Sequence, residues 1–135
     1  MLILALLAAP AAASNGVSSA DMQEIRAVIH RQIDAFRRDD AQGAFALVSP
    51  GVQQAYGTPE RFLDVVRSSY RAVYRPQSVA FLELVVMGGD VVQPVQLTDR
   101  SGTLWVAYYA IQRQKDGTWR TNGCHLVQPS RTISA

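Results

Sequence analysis

The sequence predicts an α+β domain of three N-terminal helices packed on a curved four-stranded antiparallel meander. Three observations carry this. In the first half, apolar residues recur every three or four positions, the period of amphipathic helices. In the second half, runs rich in β-branched and aromatic residues alternate with turn residues. The turns, among them Gly88-Gly89-Asp90 and Lys115 to Thr118, are short, so successive strands must be antiparallel neighbours. A meander behind a helical half outlines a cone with a pocket.

The chain has 135 residues, enough for one core and not two. It shows no internal repeat and no low-complexity stretch. The formal charge of +2 gives no reason to expect a nucleic-acid partner. Lys115 is the lone lysine among 13 basic residues; the rest are arginines, which suit ion pairs and anion contacts.

Residues 1–13 stand apart. Leu2 to Ala9 is an unbroken apolar run too short to span a bilayer. Pro10 breaks it, and Ala11-Ala12-Ala13 supplies the small residues of a cleavage site. The expectation is a signal peptide over 1–13 and a periplasmic or secreted protein without a membrane span. The competing reading is a buried N-terminal helix. Residues 14–20 read as a linker, 21–128 as the domain and 129–135 as a flexible tail.

Asp21 followed by Glu24 resembles a capping box. Met22, Ile25, Ile29, Ile33 and Phe36, widened by Val28, form the stripe of a first helix running to about Arg38. Asp39 and Asp40 cap a second, short helix carrying Ala44, Phe45, Leu47 and Val48, which Ser49-Pro50-Gly51 ends. A third helix opens at Thr58 with Pro59 at its first position and Glu60 in its first turn. Its stripe is Phe62, Val65, Val66, Tyr70 and Val73, and Pro76 stops it.

Four strands follow, about Ser78 to Met87, Val91 to Thr98, Thr103 to Gln114 and Trp119 to Gln128. Pro94 cannot donate to a ladder, which makes the second strand an edge or marks a bulge. The third strand is apolar on both faces: Trp105, Ala107, Tyr109 and Ile111 on one, Leu104, Val106, Tyr108 and Ala110 on the other. A sheet with one wet face alternates apolar and polar residues. Helices cover one face here, and a second subunit is the simplest cover for the other, so a homodimer through the sheet face is expected. The rivals are a partly exposed apolar face and a cover by the N-terminal segment.

Candidate chemistry is sparse. Cys124, the single cysteine, excludes an intrachain disulfide, and burial is its favoured state. Cys124 and His125 suggest a thiol and its base, but neighbours on a strand point to opposite faces. With His30 as the only other histidine there is no metal-ligand spacing. No cofactor is expected. Asp39 and Asp40 look like paired acids, which helix capping explains. Arg67, Arg71 and Arg75 lie four apart on one helical line, a solvated face or a docking line for an acidic partner or lipid headgroup. Glu83 sits mid-strand among apolar residues. There a carboxyl has a raised pKa suited to acid–base work, unless it faces outward and pairs with an arginine.

Motifs along nearly the whole mature chain then carry a resemblance. Gln32-x-x-Ala35-Phe36-x-x-Asp39-Asp40, Ala44-Phe45 with Ser49-Pro50, and Tyr70-x-x-Val73-Tyr74-Arg75-Pro76 lead through Gly102-x-x-Trp105 to Gly117-x-Trp119-Arg120-x-x-Gly123-Cys124. The chain resembles the exported bacterial family known as domain of unknown function 4864. More broadly it resembles the nuclear transport factor two-like superfamily of cone-shaped α+β domains. The superfamily spans isomerases, dehydratases, cyclases, adaptors and binding modules, so the resemblance implies a fold and no activity. Thr121 departs from the aliphatic residue commoner after Trp-Arg and implies a more polar patch beside the pocket.

The expected function is therefore non-catalytic binding of a small apolar ligand or a protein partner. Pocket candidates are Tyr70, Glu83, Trp105, Tyr108, Tyr109, Trp119 and His125. The alternatives are an acid–base enzyme built on Glu83, Tyr108 and His125, and a structural dimerisation module.

Overall fold

The computed structural model describes residues 16–129. The expected signal peptide and nearly all of the expected tail lie outside the described residues. Within them, five helices precede a five-stranded antiparallel sheet: α1 (Ser19–Arg37), α2 (Ala41–Phe45), α3 (Pro50–Tyr56), α4 (Pro59–Ser69), α5 (Arg71–Tyr74), β1 (Ser78–Phe81), β2 (Val85–Met87), β3 (Asp90–Thr98), β4 (Leu104–Arg113) and β5 (Trp119–Val127). The class is α+β, with five strands where four were expected and five helices where three were.

Each difference has a local cause. The helix α1 starts three residues earlier than expected because Ser18 is its cap. Ser18 Oγ accepts from the Asp21 backbone N–H at 3.0 Å, and Asp21 Oδ2 accepts from the Ser18 N–H at 3.0 Å. The capping box is Ser18 with Asp21, not Asp21 with Glu24. Ile25, Val28, Ile29, Ile33 and Phe36 form the buried stripe, while Met22 stays 36% exposed. Asp40 caps α2 through the Gly43 N–H at 2.9 Å. Asp39 caps nothing; it has the positive φ of 53° that carries the chain from α1 to α2.

Ser49-Pro50 opens a helix instead of closing one. Ser49 Oγ accepts from the Val52 N–H at 3.3 Å, and Pro50 takes the first helical position, where its missing N–H costs nothing. Thr58-Pro59 repeats the device at α4. The third expected helix breaks at Tyr70 (φ −128°, ψ 51°), giving α4 and α5.

The sheet order is β1-β3-β4-β5, with β2 also paired to β3. Pro94 thus lies in a central strand. The first expected strand splits opposite it: Phe81 pairs with Val95 and Val85 with Val92, leaving three residues facing two. The backbone that would have needed the Pro94 N–H is displaced. Gln93, fully buried, fills the gap, donating from Nε2 to the carbonyls of Leu82 and Pro94 at 2.8 Å each.

The inner sheet face packs on α1. Val95, Leu97, Ala107 and Tyr109 meet Ile25, Ile29, Ile33 and Phe36 in one core. The outer face is apolar and open in the single chain, with Leu104 40%, Tyr108 42% and Val127 37% exposed.

Candidate functional site: an apolar cavity between the helices and the sheet

A second register shift positions the site. Tyr109 pairs with Cys124 and Ile111 with Thr121, so β5 carries one extra residue at Asn122-Gly123. Gly123 takes φ +120°, a backbone conformation that side-chain-bearing residues rarely adopt. Thr121 and Cys124, three apart, would face opposite ways on a regular strand. The bulge rephases the strand, so Trp119, Thr121, Cys124 and Leu126 all turn inward.

Two of them, Thr121 and Cys124, help floor a cavity of about 250 Å³. Tyr109, Thr121, Gly123 and Cys124 come from the sheet, and Gln32 and Phe36 from α1. Val48, Val52 and Tyr56 come from the α2–α3 region, and Phe62, Val66, Tyr70 and Val73 from α4 and α5. The rim is fastened to β5. The Thr121 N–H donates to the Leu47 carbonyl at 3.0 Å, and the Ser49 N–H donates to the Thr121 carbonyl at 2.8 Å. Ser49 Oγ donates to Asn122 Oδ1 at 2.6 Å, in the bulge itself.

Polar groups in the lining are few. Gln32 Nε2 donates to the Ala44 carbonyl at 3.3 Å. Tyr109, 1% exposed, has a buried hydroxyl with no hydrogen-bond partner among the described residues. Burial, and secondarily Cys124, pushes its pKa well above the usual tyrosine value. Burial pushes the Cys124 thiol up to about 12. Tyr56 is raised by burial and then by its neighbour Tyr70. The cavity therefore offers the neutral hydroxyl of Tyr109 and the neutral thiol of Cys124 as donors.

Of the expected pocket residues, Tyr70 and Tyr109 line the cavity. Trp119 is buried under the start of α1, its Nε1 donating to Asp21 Oδ1 at 3.2 Å. Trp105 faces inward elsewhere, donating to Asp99 Oδ2 at 2.9 Å. Tyr108 and His125 are register partners on the outer face, both exposed. Glu83 is exposed in the break between β1 and β2. Its apolar neighbour Phe81 packs on His30 instead, with ring centroids 4.9 Å apart. Gln32, Tyr56, Thr121 and Cys124 join the lining; Gln32 enters the sequence reading only as part of a motif, and Tyr56 has no signal there. Cys124 and His125 are divided by the pleat, as strand geometry requires.

The arginine line lies outside this cavity. Asp39 accepts from the Tyr74 hydroxyl, from Arg75 Nη2 at 3.0 Å and from Arg67 Nη2 at 3.5 Å. The Tyr74 bond first, then Arg75 and Arg67, hold its carboxyl below the ordinary value. Among the described residues, no three of His, Cys, Asp and Glu are grouped to hold a metal ion, and no helix is long and apolar enough to cross a membrane.

The molecule is thus an α+β domain whose helices and antiparallel sheet enclose a small apolar cavity. The chain belongs to the family described as Domain of unknown function (DUF4864), whose model matches residues 18–133. No curated protein and no solved structure matches the chain significantly.

Proposed function

We propose that this domain is a non-catalytic binding module for a small, mostly apolar ligand carrying one polar group. The observation that carries the reading is the unpartnered Tyr109 hydroxyl in a mostly apolar cavity. A buried hydroxyl without a partner costs about 1–3 kcal/mol, which a ligand oxygen or nitrogen would recover. The volume lies above the roughly 150 Å³ that admits a benzene-sized guest and just below the ~300 Å³ of common ligand sites. A bicyclic molecule or a short acyl chain fits that range. A cavity lined by neutral tyrosines and a thiol of raised pKa lacks the poised acid or base of an isomerase or dehydratase. The motif resemblance further supports a cone-shaped, nuclear transport factor two-like domain, and the apolar leader supports export.

Native mass spectrometry of protein purified without denaturation tests the reading: the expected spectrum contains an adduct that Cys124→Phe, which fills the cavity, removes. A ligand-free spectrum, together with no thermal shift from small aromatic and acyl compounds, sinks it.

A second copy of the chain is the proposed cover for the outer sheet face. The supporting observation is the half-exposed Leu104, Tyr108 and Val127 on adjacent strands. Such a flat, apolar patch suits a two-fold interface. Light scattering should give a dimer mass that Tyr108→Lys reduces to monomer; a wild-type monomer at all concentrations would rule it out.

A further inference from the structure

We infer that the cleft between α5 and the β3–β4 turn binds a small phosphate-bearing ligand, with Arg71 and Arg100 as its principal contacts. The site is separate from the apolar cavity and does not rest on that reading.

Two hollows, of about 500 and 660 Å³, share Arg75 and Arg100 in their walls. The first is also lined by Arg67, Arg71, Tyr74, Asp99 and Ser101, and the second by Arg37, Pro76 and Gln77. Five guanidinium groups therefore converge on one stretch of surface. Three are spoken for: Arg37 meets Asp34 at 3.8 Å, Arg67 meets Asp64 and Asp39 at 3.5 Å each, and Arg75 meets Asp39 at 3.0 Å. Among the described residues no carboxylate lies within ion-pair distance of Arg71 or Arg100. Asp99 shares a hollow with both, but its oxygens are already engaged. Oδ1 accepts from the Ser101 N–H and hydroxyl and from the Thr103 N–H, and Oδ2 accepts from Trp105.

The cleft is also built, not merely crowded. Gln77 Nε2 donates to the Arg100 carbonyl at 3.1 Å, fixing the turn against the end of α5. The Arg75 and Arg67 guanidinium carbons sit 4.7 and 5.7 Å from the Tyr74 ring centroid, so stacking and the Asp39 bonds restrict both side chains. Arg75 Nε is buried without a partner, a vacant donor where the two hollows meet. Planar guanidinium forks match the oxygens of a phosphate group. A recessed hollow lined by four arginines fits a compact polyanion better than an extended acidic peptide. The exposed apolar residues Met22, Leu82, Val85, Met87, Leu104, Tyr108 and Val127 are none of them in either wall, so nothing here inserts into a lipid layer.

Isothermal titration at low ionic strength, with inorganic phosphate and pyrophosphate as probes, is the test. Pyrophosphate should bind saturably and more tightly than phosphate, and R71Q/R100Q should weaken it at least about tenfold. R31Q, on a different element, should bind as wild type. Because Arg71 and Arg100 make no ion pair, the double variant should keep the wild-type melting temperature; if it does not fold, R100Q in the exposed turn takes its place. The proposal is overturned by absence of saturable binding, by equal affinity in the variant, or by a glutamate octapeptide that binds where pyrophosphate does not.

Discussion

Tyr109 and Cys124 are register partners across β4 and β5, and both point into the cavity. Burial raises the pKa of both the hydroxyl and the thiol, so both are protonated at neutral pH. The consequences for stability and reactivity can be measured separately.

Removing the Tyr109 hydroxyl should not destabilise the empty protein. Tyr109→Phe deletes a buried group that has no partner, so the expected change is zero to about 1 kcal/mol of added stability. Urea unfolding followed by circular dichroism measures it. The same variant should lose affinity for any guest. A clear loss of stability in the ligand-free protein would mean that the hydroxyl is satisfied, and the binding proposal would lose its foundation.

Cys124 should be a slow nucleophile. The thiolate is the reactive species, and a pKa of about 12 leaves almost none at pH 8. Alkylation by iodoacetamide should run at least about tenfold slower in the native protein than in urea, followed by intact mass. Cys124→Ser should leave the oligomeric state unchanged, which light scattering checks.

Acid should destabilise the fold over a defined window. Hydrogen bonds from Ser101, then Trp105, draw the Asp99 carboxyl down to about 2. Asp21, Asp39 and Asp116 are also lowered, chiefly by bonds from the Ser18 backbone, Tyr74 and Thr118 respectively. Unfolded aspartates titrate near 3.9. Between about pH 4 and 2 the unfolded chain binds more protons than the folded one, so stability rises with pH there. The contribution is fully present above about pH 4 and is lost as pH falls toward 2. Melting temperatures across this range should drop steeply for wild type and less steeply for Asp99→Asn.

Asp39 should tolerate asparagine better than alanine. Its positive φ favours residues that accept the left-handed region, and Asn does so more readily than Ala. Asn also keeps an oxygen for Tyr74 and Arg75. The expected order of melting temperatures is wild type, then Asp39→Asn, then Asp39→Ala. Equal losses in the two variants would assign the whole effect to the charge.

Much of the frame is legible in the residues. The three-four spacing from Ile25 to Phe36 fixes α1, and Thr58-Pro59-Glu60 fixes the start of α4. The apolar and turn residues from Val91 to Gln128 locate β3, β4 and β5. The failures share one origin: a local signal with two meanings. Ser-Pro can follow a helix or open one, and only packing under Phe45 and beside Asn122 decides that Ser49-Pro50 opens α3. Missing α3 also hid Tyr56 from the pocket. Pro94 correctly signalled a disrupted ladder, but the disruption fell on the neighbouring strand because tertiary pairing kept β3 in the centre. Tyr70 on the α4 stripe and Tyr109 on the inner face of β4 both line the cavity. Of the two readings of Glu83, the outward one is what the structure gives, in the break between β1 and β2 and with no ion pair among the described residues. The inward turn of Cys124 alongside Thr121 depends on a bulge that no period-two pattern encodes.

That bulge holds one residue more than the ladder needs. The strand is two half-strands in opposite phase, joined at Asn122-Gly123. Deleting one residue there would restore a regular ladder and leave Thr121, Cys124 and Leu126 facing inward, because one residue would then separate Thr121 from Cys124 as one separates Ile111 from Tyr109. The extra residue therefore does not decide which side chains face the cavity in a shortened strand; it bends the strand and offers Asn122 Oδ1 to the Ser49 hydroxyl at the rim.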